Sequence, residues 1–171
     1  MHSNTRTHLS ASFLLLIIGI ASRIIPHTPN FTAVGAVAIF AGAYLPKKYA
    51  LFLPALIMLI SDAIVGFHAT MPWVYGSYLL IGILSCYIGS KHLIFMPIFA
   101  SILFFVITNF GVWISGTMYA KTLSGLLECY AMGIPFFRGT LFGDSVFTLV
   151  LYSAFKLLGF KLDSRPIIIS I

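Results

Sequence analysis

Apolar residues fill most of this chain in six stretches that short polar connections separate. The stretches cover about residues 9–25, 31–45, 49–67, 73–89, 93–116 and 140–160. A helix that crosses the hydrocarbon core of a membrane needs about 20 apolar residues. Four stretches meet this length, the first is marginal and the second is short. The pattern predicts an all-α membrane protein, a six-helix bundle that forms one integral membrane domain over residues 1–171.

Composition supports a membrane location and excludes most soluble classes. The mean hydropathy is +1.03, and only 8% of the residues are charged, whereas about 25% is usual for soluble domains. The net charge of +6 would favour nucleic-acid binding if the cations formed a patch. They lie singly near the ends of the apolar stretches, so we expect them to orient the chain in a lipid bilayer.

The Lys and Arg residues are unequally divided between the two sides of the predicted bundle. One side carries Arg6, Lys47, Lys48, Lys91, Lys156, Lys161 and Arg165. The other side carries Arg23, Lys121 and Arg138. Positive residues concentrate on the cytoplasmic side of membrane proteins. The division predicts that both termini are cytoplasmic and that the chain is a multi-pass protein of the bacterial inner membrane.

The N-terminal stretch also resembles a signal peptide. Arg6 precedes an apolar run over 13–21, and Gly19 and Ala21 are small residues of the kind found at cleavage sites. The apolar character continues to Ile25, beyond such a site, which favours a first transmembrane helix. A mature N-terminus at Ser22 would instead support cleavage.

Polar residues inside predicted membrane spans are costly and are usually functional. Arg23, Asp62, Asn109 and Asp144 all fall in the predicted outer half. One explanation is a structural ion pair of Arg23 with Asp62 or Asp144, with Arg138 or His68 as a donor for the remaining acid. The other explanation is an outward-facing ligand pocket.

The predicted outer connections add further polar and aromatic groups around the same region. The segment 23–30 contains two prolines and feeds the short second stretch, so we expect it to dip into the membrane and line a cavity. Residues 117–139 are too apolar for an exposed loop and predict an outer lid or an interfacial helix. The expected substrate-binding residues are Arg23, His27, Asn30, Asp62, His68, Trp73, Tyr75, Asn109, Trp113, Tyr119, Glu128, Arg138 and Asp144.

Small residues predict where helices approach closely. Gly35, Ala38 and Gly42 follow one another at helical spacing in the second stretch. Such a stripe permits close packing either inside the bundle or against a membrane partner. Cys86 and Cys129 are expected on opposite sides of the membrane, so a disulfide between them is not expected.

No motif for catalysis, nucleotide binding or metal binding occurs in the chain. It contains no phosphate-binding loop of the Gly-x-x-x-x-Gly-Lys type, no His-Glu-x-x-His and no Cys-x-x-Cys. We therefore expect no enzymatic activity, no cofactor and no metal. Two functions are compatible with this sequence: binding of a small molecule for uptake, or a non-transporting scaffold subunit of a cell-envelope complex.

Several segments resemble an uncharacterised bacterial family of membrane transport proteins. They are the run of ten residues that begins Arg23-Ile-Ile-Pro-His, the Ala41-to-Pro46 helix stop, Ser61-Asp62 with Gly66, the Thr108-to-Trp113 run, and Pro135-Phe-Phe. The resemblance covers about residues 23–152. That family looks related to the substrate-binding S components of energy-coupling-factor vitamin transporters, a likeness of size, helix number and termini.

This resemblance implies a six-helix fold whose outer helix halves and loops enclose a vitamin-like micronutrient. It also implies a membrane scaffold subunit and cytoplasmic ATPases as partners. S components often carry an Ala-x-x-x-Ala face on the first helix for docking on the scaffold. Here Ala11 is followed four residues later by Leu15, so both a shared energising module and a solitary transporter remain open.

Overall fold

The computed structural model describes residues 2–158, and all regular structure in this range is helical. The helices are α1 (His2–Ile24), α2 (Val34–Tyr44), α3 (Lys47–Val65), α4 (Met71–Ile88), α5 (Met96–Ser115) and α6 (Leu123–Leu157), with one 3₁₀ turn, Ser90–His92, between α4 and α5. The expected end of the sixth span at 160, together with Lys161 and Arg165, lies outside the described residues.

Five of these helices are long and apolar enough to cross a membrane. The exception is α2, whose 11 residues cover about 16 Å of a hydrocarbon core about 30 Å thick. The expectation of a multi-pass helical membrane protein is confirmed at this level. The second span, predicted over 31–45, is shorter than expected because 31–33 belong to the connection before α2.

The short helix α2 is the centre of the bundle. Every residue from Val34 to Tyr44 is buried, and α2 packs against each of the other five helices. A helix that is apolar on all sides, as α2 is, is stable when other helices bury every face of it. A Cβ added at Gly42 would overlap Ser85 and the backbone of α4. The small-residue stripe therefore serves packing inside the bundle, which was one of its two predicted roles.

Contacts between neighbouring helices give the direction of each helix. Gly19 lies beside Ile57 and Arg23 beside Asp62, so α1 and α3 run parallel. Neighbours from α3 to α6 alternate in direction, because later residues of one helix contact earlier residues of the next. Successive helices thus run in opposite directions, and α1 starts at the end of the bundle where α6 finishes. We call this the inner end, and the opposite end, which holds Ile24 and Ser115, the outer end.

The sixth helix differs most from the prediction. It begins at Leu123, not near 140, and runs without interruption through Pro135. The Tyr130 hydroxyl donates to the Val106 carbonyl at 2.8 Å, and Phe105 stacks against Tyr130 and Phe137. Most of the expected lid, 117–139, is therefore the outer half of α6 packed along α5. Only 117–122 forms a connection, which ends where Thr122 caps the helix by accepting from the Gly125 amide.

Candidate ligand-binding cavity at the outer end

A cavity of about 570 Å³ opens between the outer halves of the helices. This volume lies in the range of sites for small organic molecules, about 300–1,000 Å³. The lining includes residues from α1, α3, α4, α5, α6 and three connections. Six of the thirteen expected binding residues line it: Arg23, His27, Asn30, His68, Asn109 and Tyr119. No Asp or Glu is among the described residues that line the cavity, so its ionisable lining is cationic or neutral.

Arg23 forms the charged wall of the cavity, and the side chains that orient it lie on the side away from the cavity. Its guanidinium pairs with the Asp62 carboxylate at 2.5 Å and also contacts the Met58 sulfur. The Tyr75 hydroxyl donates to the other Asp62 oxygen at 2.9 Å. Asp62 is fully buried, whereas the Arg23 side chain is 15% exposed. The carboxylate therefore orients Arg23, and only Arg23 of this pair is in reach of a ligand.

The connection from α1 to α2 descends beside the cavity. The Ser22 hydroxyl accepts from the Ala33 amide at 3.0 Å, which places the start of α2 next to the end of α1. Asn30 has a φ of 61°, a left-handed conformation that Asn adopts more readily than most residues. His27 and Asn30 line the cavity from this connection, in agreement with the expectation that 23–30 borders one.

The opposite wall forms where α5 meets α6. Asn109 donates to the Phe105 carbonyl at 2.9 Å, and the Cys129 thiol donates to the Asn109 carbonyl at 3.4 Å. A Cβ added at Gly133 would overlap the Asn109 amide and Phe105. Gly133 therefore lets α6 approach α5 closely enough for Asn109 to border the cavity.

The two tryptophans form hydrogen bonds at the outer end of the bundle instead of lining the cavity. The Trp73 indole donates to the Ser115 hydroxyl at 2.9 Å, and the Trp113 indole donates to the Ala120 carbonyl at 2.8 Å. Lys121 lies over the Trp113 ring at 5.5 Å and donates to the Gly116 carbonyl at 2.6 Å. Trp73 and Trp113 were expected among the substrate-binding residues, but neither is among the residues that line the cavity.

Asp144 lies apart from the cavity and deeper in the bundle. The Ser101 hydroxyl donates to it at 2.8 Å, and a Cβ added at Gly35 would overlap its carboxylate. The inner end of α2 is Tyr44, and Gly35, which contacts Asp144, lies about 14 Å from it along the helix. The inner end of α3 is Lys47, and Asp62 lies about 22 Å from it along the helix. The expected single polar layer is therefore two sites at different depths, since α6 begins 17 residues earlier than the sequence suggested.

The remaining expected residues lie elsewhere. Glu128 and Arg138 are exposed on α6, and Tyr75 acts on Asp62 from behind the charged wall. The cavity is also lined by polar and aromatic residues that were not predicted from the sequence. They are Thr32, Thr70, Tyr78, Phe104, Thr108 and Phe136, together with Met58, Met118 and Met132. Most of these side chains lie in apolar runs, where the sequence does not distinguish a cavity wall from the ordinary core. Three of the six methionines at one cavity is the signal that was available, because Met adapts to irregular ligand surfaces.

Among the described residues no cluster of His, Cys, Asp or Glu is arranged to hold a metal ion. Cys86 and Cys129 form no disulfide. The polar groups at the cavity are a guanidinium, amides, imidazoles and hydroxyls, which can orient a ligand by hydrogen bonds. Within this lining, the His68 ring and the Thr70 hydroxyl are hydrogen-bonded to each other at 2.9 Å.

Comparison with known proteins assigns the chain to a family without assigning a function. No curated protein and no solved structure matches it. One family model matches residues 2–166, nearly the whole chain. The chain therefore belongs to DUF6580, a family of unknown function.

Proposed function

We propose that this chain is the substrate-binding membrane subunit of a micronutrient uptake system and that it binds a small, vitamin-like molecule from the outer side. The observation that carries the proposal is the cavity of about 570 Å³ between the outer helix halves. It combines a fixed cation, Arg23, with amide groups and apolar walls. This combination, mostly apolar with a few oriented polar groups, is typical of small-molecule sites.

The lining narrows the chemistry of the ligand. Asp62 does not line the cavity and neutralises Arg23 from the opposite side, while His27 and His68 add ring nitrogens that can form hydrogen bonds. A ligand with a neutral polar or anionic end would meet no carboxylate there. Tyr78 and Phe104, whose ring centroids lie 4.8 Å apart, supply an aromatic wall that suits a ring-bearing ligand.

The proposal includes an orientation and a location. Both termini are cytoplasmic, the chain lies in the bacterial inner membrane, and the cavity opens away from the cytoplasm. The energy source is either a membrane scaffold with cytoplasmic ATPases, as the resemblance to S components implies, or the chain alone. No catalytic step on the ligand is proposed.

Uptake of radiolabelled water-soluble vitamins into cells that express the chain tests this function. We expect one compound to accumulate above the level of cells without the chain, and accumulation to be lost in Asn109→Ala. An exposed position on the same helix, Ile102→Ala, is the matched control and should keep uptake. If no compound accumulates and deletion of the chain instead damages the cell envelope, the scaffold function replaces this one.

A further inference from the structure

Asp144 is a buried carboxyl group without a cation partner. It is 2% exposed and sits between α2, α5 and α6. Among the side chains that the structure describes, those of 7–90 and 92–158, the one ion pair is Arg23–Asp62, and the one hydrogen bond to the Asp144 carboxyl comes from Ser101. Burying an ionised carboxylate without a counter-charge costs more free energy than protonating it.

A second buried polar group lies on the same face of α6. Thr148 lies one helical turn beyond Asp144, is 4% exposed, and its buried hydroxyl has no hydrogen-bond partner. Residues four apart on a helix are neighbours on one face. A carboxyl and a free hydroxyl thus share the interior of the bundle, where unsatisfied polar groups are expensive unless they serve a purpose.

The groups that face Asp144 leave it electrostatically isolated apart from one tyrosine. The helix α5 has no titratable side chain, and α2 has only Tyr44 at its inner end. From α4, Tyr78 lies within electrostatic range of both Asp144 and the Arg23–Asp62 pair. Tyr78 also lines the cavity, so this side chain lies near both the cavity and the deeper acid.

The connection before α2 forms a second link. The backbone of Thr32 lies against Gly143, with its N and O atoms 3.1 Å from the position of an added Cβ. Thr32 lines the cavity as well. A ligand that moves Thr32 or Tyr78 would therefore change the surroundings of Asp144.

We propose that Asp144 is a proton-binding site in the membrane interior, and that its protonation is coupled to occupancy of the cavity through Tyr78 and Thr32. A proton from water binds one carboxylate oxygen, the group becomes neutral, and the proton returns to water when the site opens; no other bond changes. The proton site stands on the geometry alone, whereas the coupling rests on the proposed function.

Infrared spectroscopy of the purified protein tests the proton site without any ligand. The chain has only four Asp and Glu residues, so a carboxylic acid band can be assigned by substitution. We expect a C=O band of a protonated acid at neutral pH that disappears in Asp144→Asn and persists in Glu128→Gln. If the wild type lacks the band, or Asp144→Asn retains it, the proton site is wrong.

If Asp144→Asn does not fold, Ser101→Ala provides a second variant for the infrared test. Removal of the Ser101 donor should shift the band to higher frequency, because a hydrogen bond to a carbonyl weakens that bond. A band that does not move would overturn the assignment to Asp144.

Binding of the radiolabelled vitamin panel at several pH values tests the coupling. The affinity of the wild type should change with pH, by up to about tenfold per pH unit for one coupled proton, and that of Asp144→Asn should not. The same affinity of the wild type at every pH would overturn the coupling. If no panel compound binds the wild type, the proposed function fails, while the infrared result still decides the proton site.

Discussion

At the scale of single residues, the sequence predicted the partners of the charged side chains only in part. The sequence offered Asp62 and Asp144 as alternative partners for Arg23, and the structure selects Asp62. The choice depends on the parallel packing of α1 and α3, which no local pattern encodes. Asp144 could not be placed from sequence, because its depth depends on where α6 begins. The cavity walls formed by Tyr78 and Met132 were equally hidden, since their neighbours in sequence are apolar.

Loss of the Arg23 guanidinium should destabilise the protein strongly. Arg23→Leu leaves the fully buried Asp62 without its cation, at a cost of about 3 kcal/mol or more in the free energy of unfolding. The matched control is Arg138→Leu, because Arg138 is exposed, and it should cost little. Thermal unfolding in detergent measures both variants. Equal losses in the two variants would show that the ion pair does not stabilise the bundle.

At the scale of helices, the sequence predicted six apolar helices and the shortness of α2, and five of the six are long enough to cross a membrane. It failed at α6, where 117–139 was predicted to be an outer lid or an interfacial helix, separate from the sixth span. Proline in a helix removes one hydrogen bond, but packing along α5 keeps this helix continuous. Gly139 lies against the Pro29 carbonyl and Gly133 against Asn109. These glycines are sites of close contact, a distinction that depends on tertiary neighbours.

Hydrogen–deuterium exchange distinguishes a helix from a lid in this segment. We expect the amides of 127–138 to be protected as strongly as those of α5, because they are hydrogen-bonded within a packed helix. The connection 117–121 should exchange quickly and serves as the internal control. Fast exchange throughout 117–138 would restore the lid interpretation.

A methyl group at Gly35 should disturb the contact between α2 and α6. Gly35→Ala places a Cβ where the Asp144 carboxylate lies, and overpacking of this kind costs about 1–3 kcal/mol. Gly76→Ala is the control, since an added Cβ there meets nothing within 4 Å and alanine favours a helix. Unfolding in detergent should show a loss for the first variant only; an unchanged Gly35→Ala would mean that Asp144 is not held against α2.

At the scale of the whole molecule, the structure shows where several of the Lys and Arg residues lie along the helices. Of the three cations that the sequence placed on the outer side, Arg23 is paired with Asp62 and Arg138 belongs to α6. Lys121 is the cation that remains in an outer connection of the described chain. At the inner end, Lys47, Lys48 and Lys156 lie in the first or last turns of α3 and α6. The orientation with a cytoplasmic inner end stays a prediction from the charge distribution.

Reporter fusions test this orientation. A phosphatase that is active only outside the cytoplasm should be inactive at the C-terminus and active when inserted after Thr117, in the connection between α5 and α6. The insertion is the positive control for the fusion at the C-terminus. An active C-terminal fusion would invert the orientation and turn the cavity towards the cytoplasm.

The central claim is that the outer cavity binds a small molecule, and equilibrium binding to the purified protein tests it most directly. Thr108 lines the cavity on α5, and Ile102 is exposed on the same helix. The radiolabelled vitamin panel is measured against the wild type, Thr108→Phe and Ile102→Phe. The account predicts that one compound binds the wild type and Ile102→Phe alike and that Thr108→Phe, whose ring occupies the cavity, loses affinity by about tenfold or more. Binding that survives unchanged in Thr108→Phe, or no binding of any compound, would contradict it.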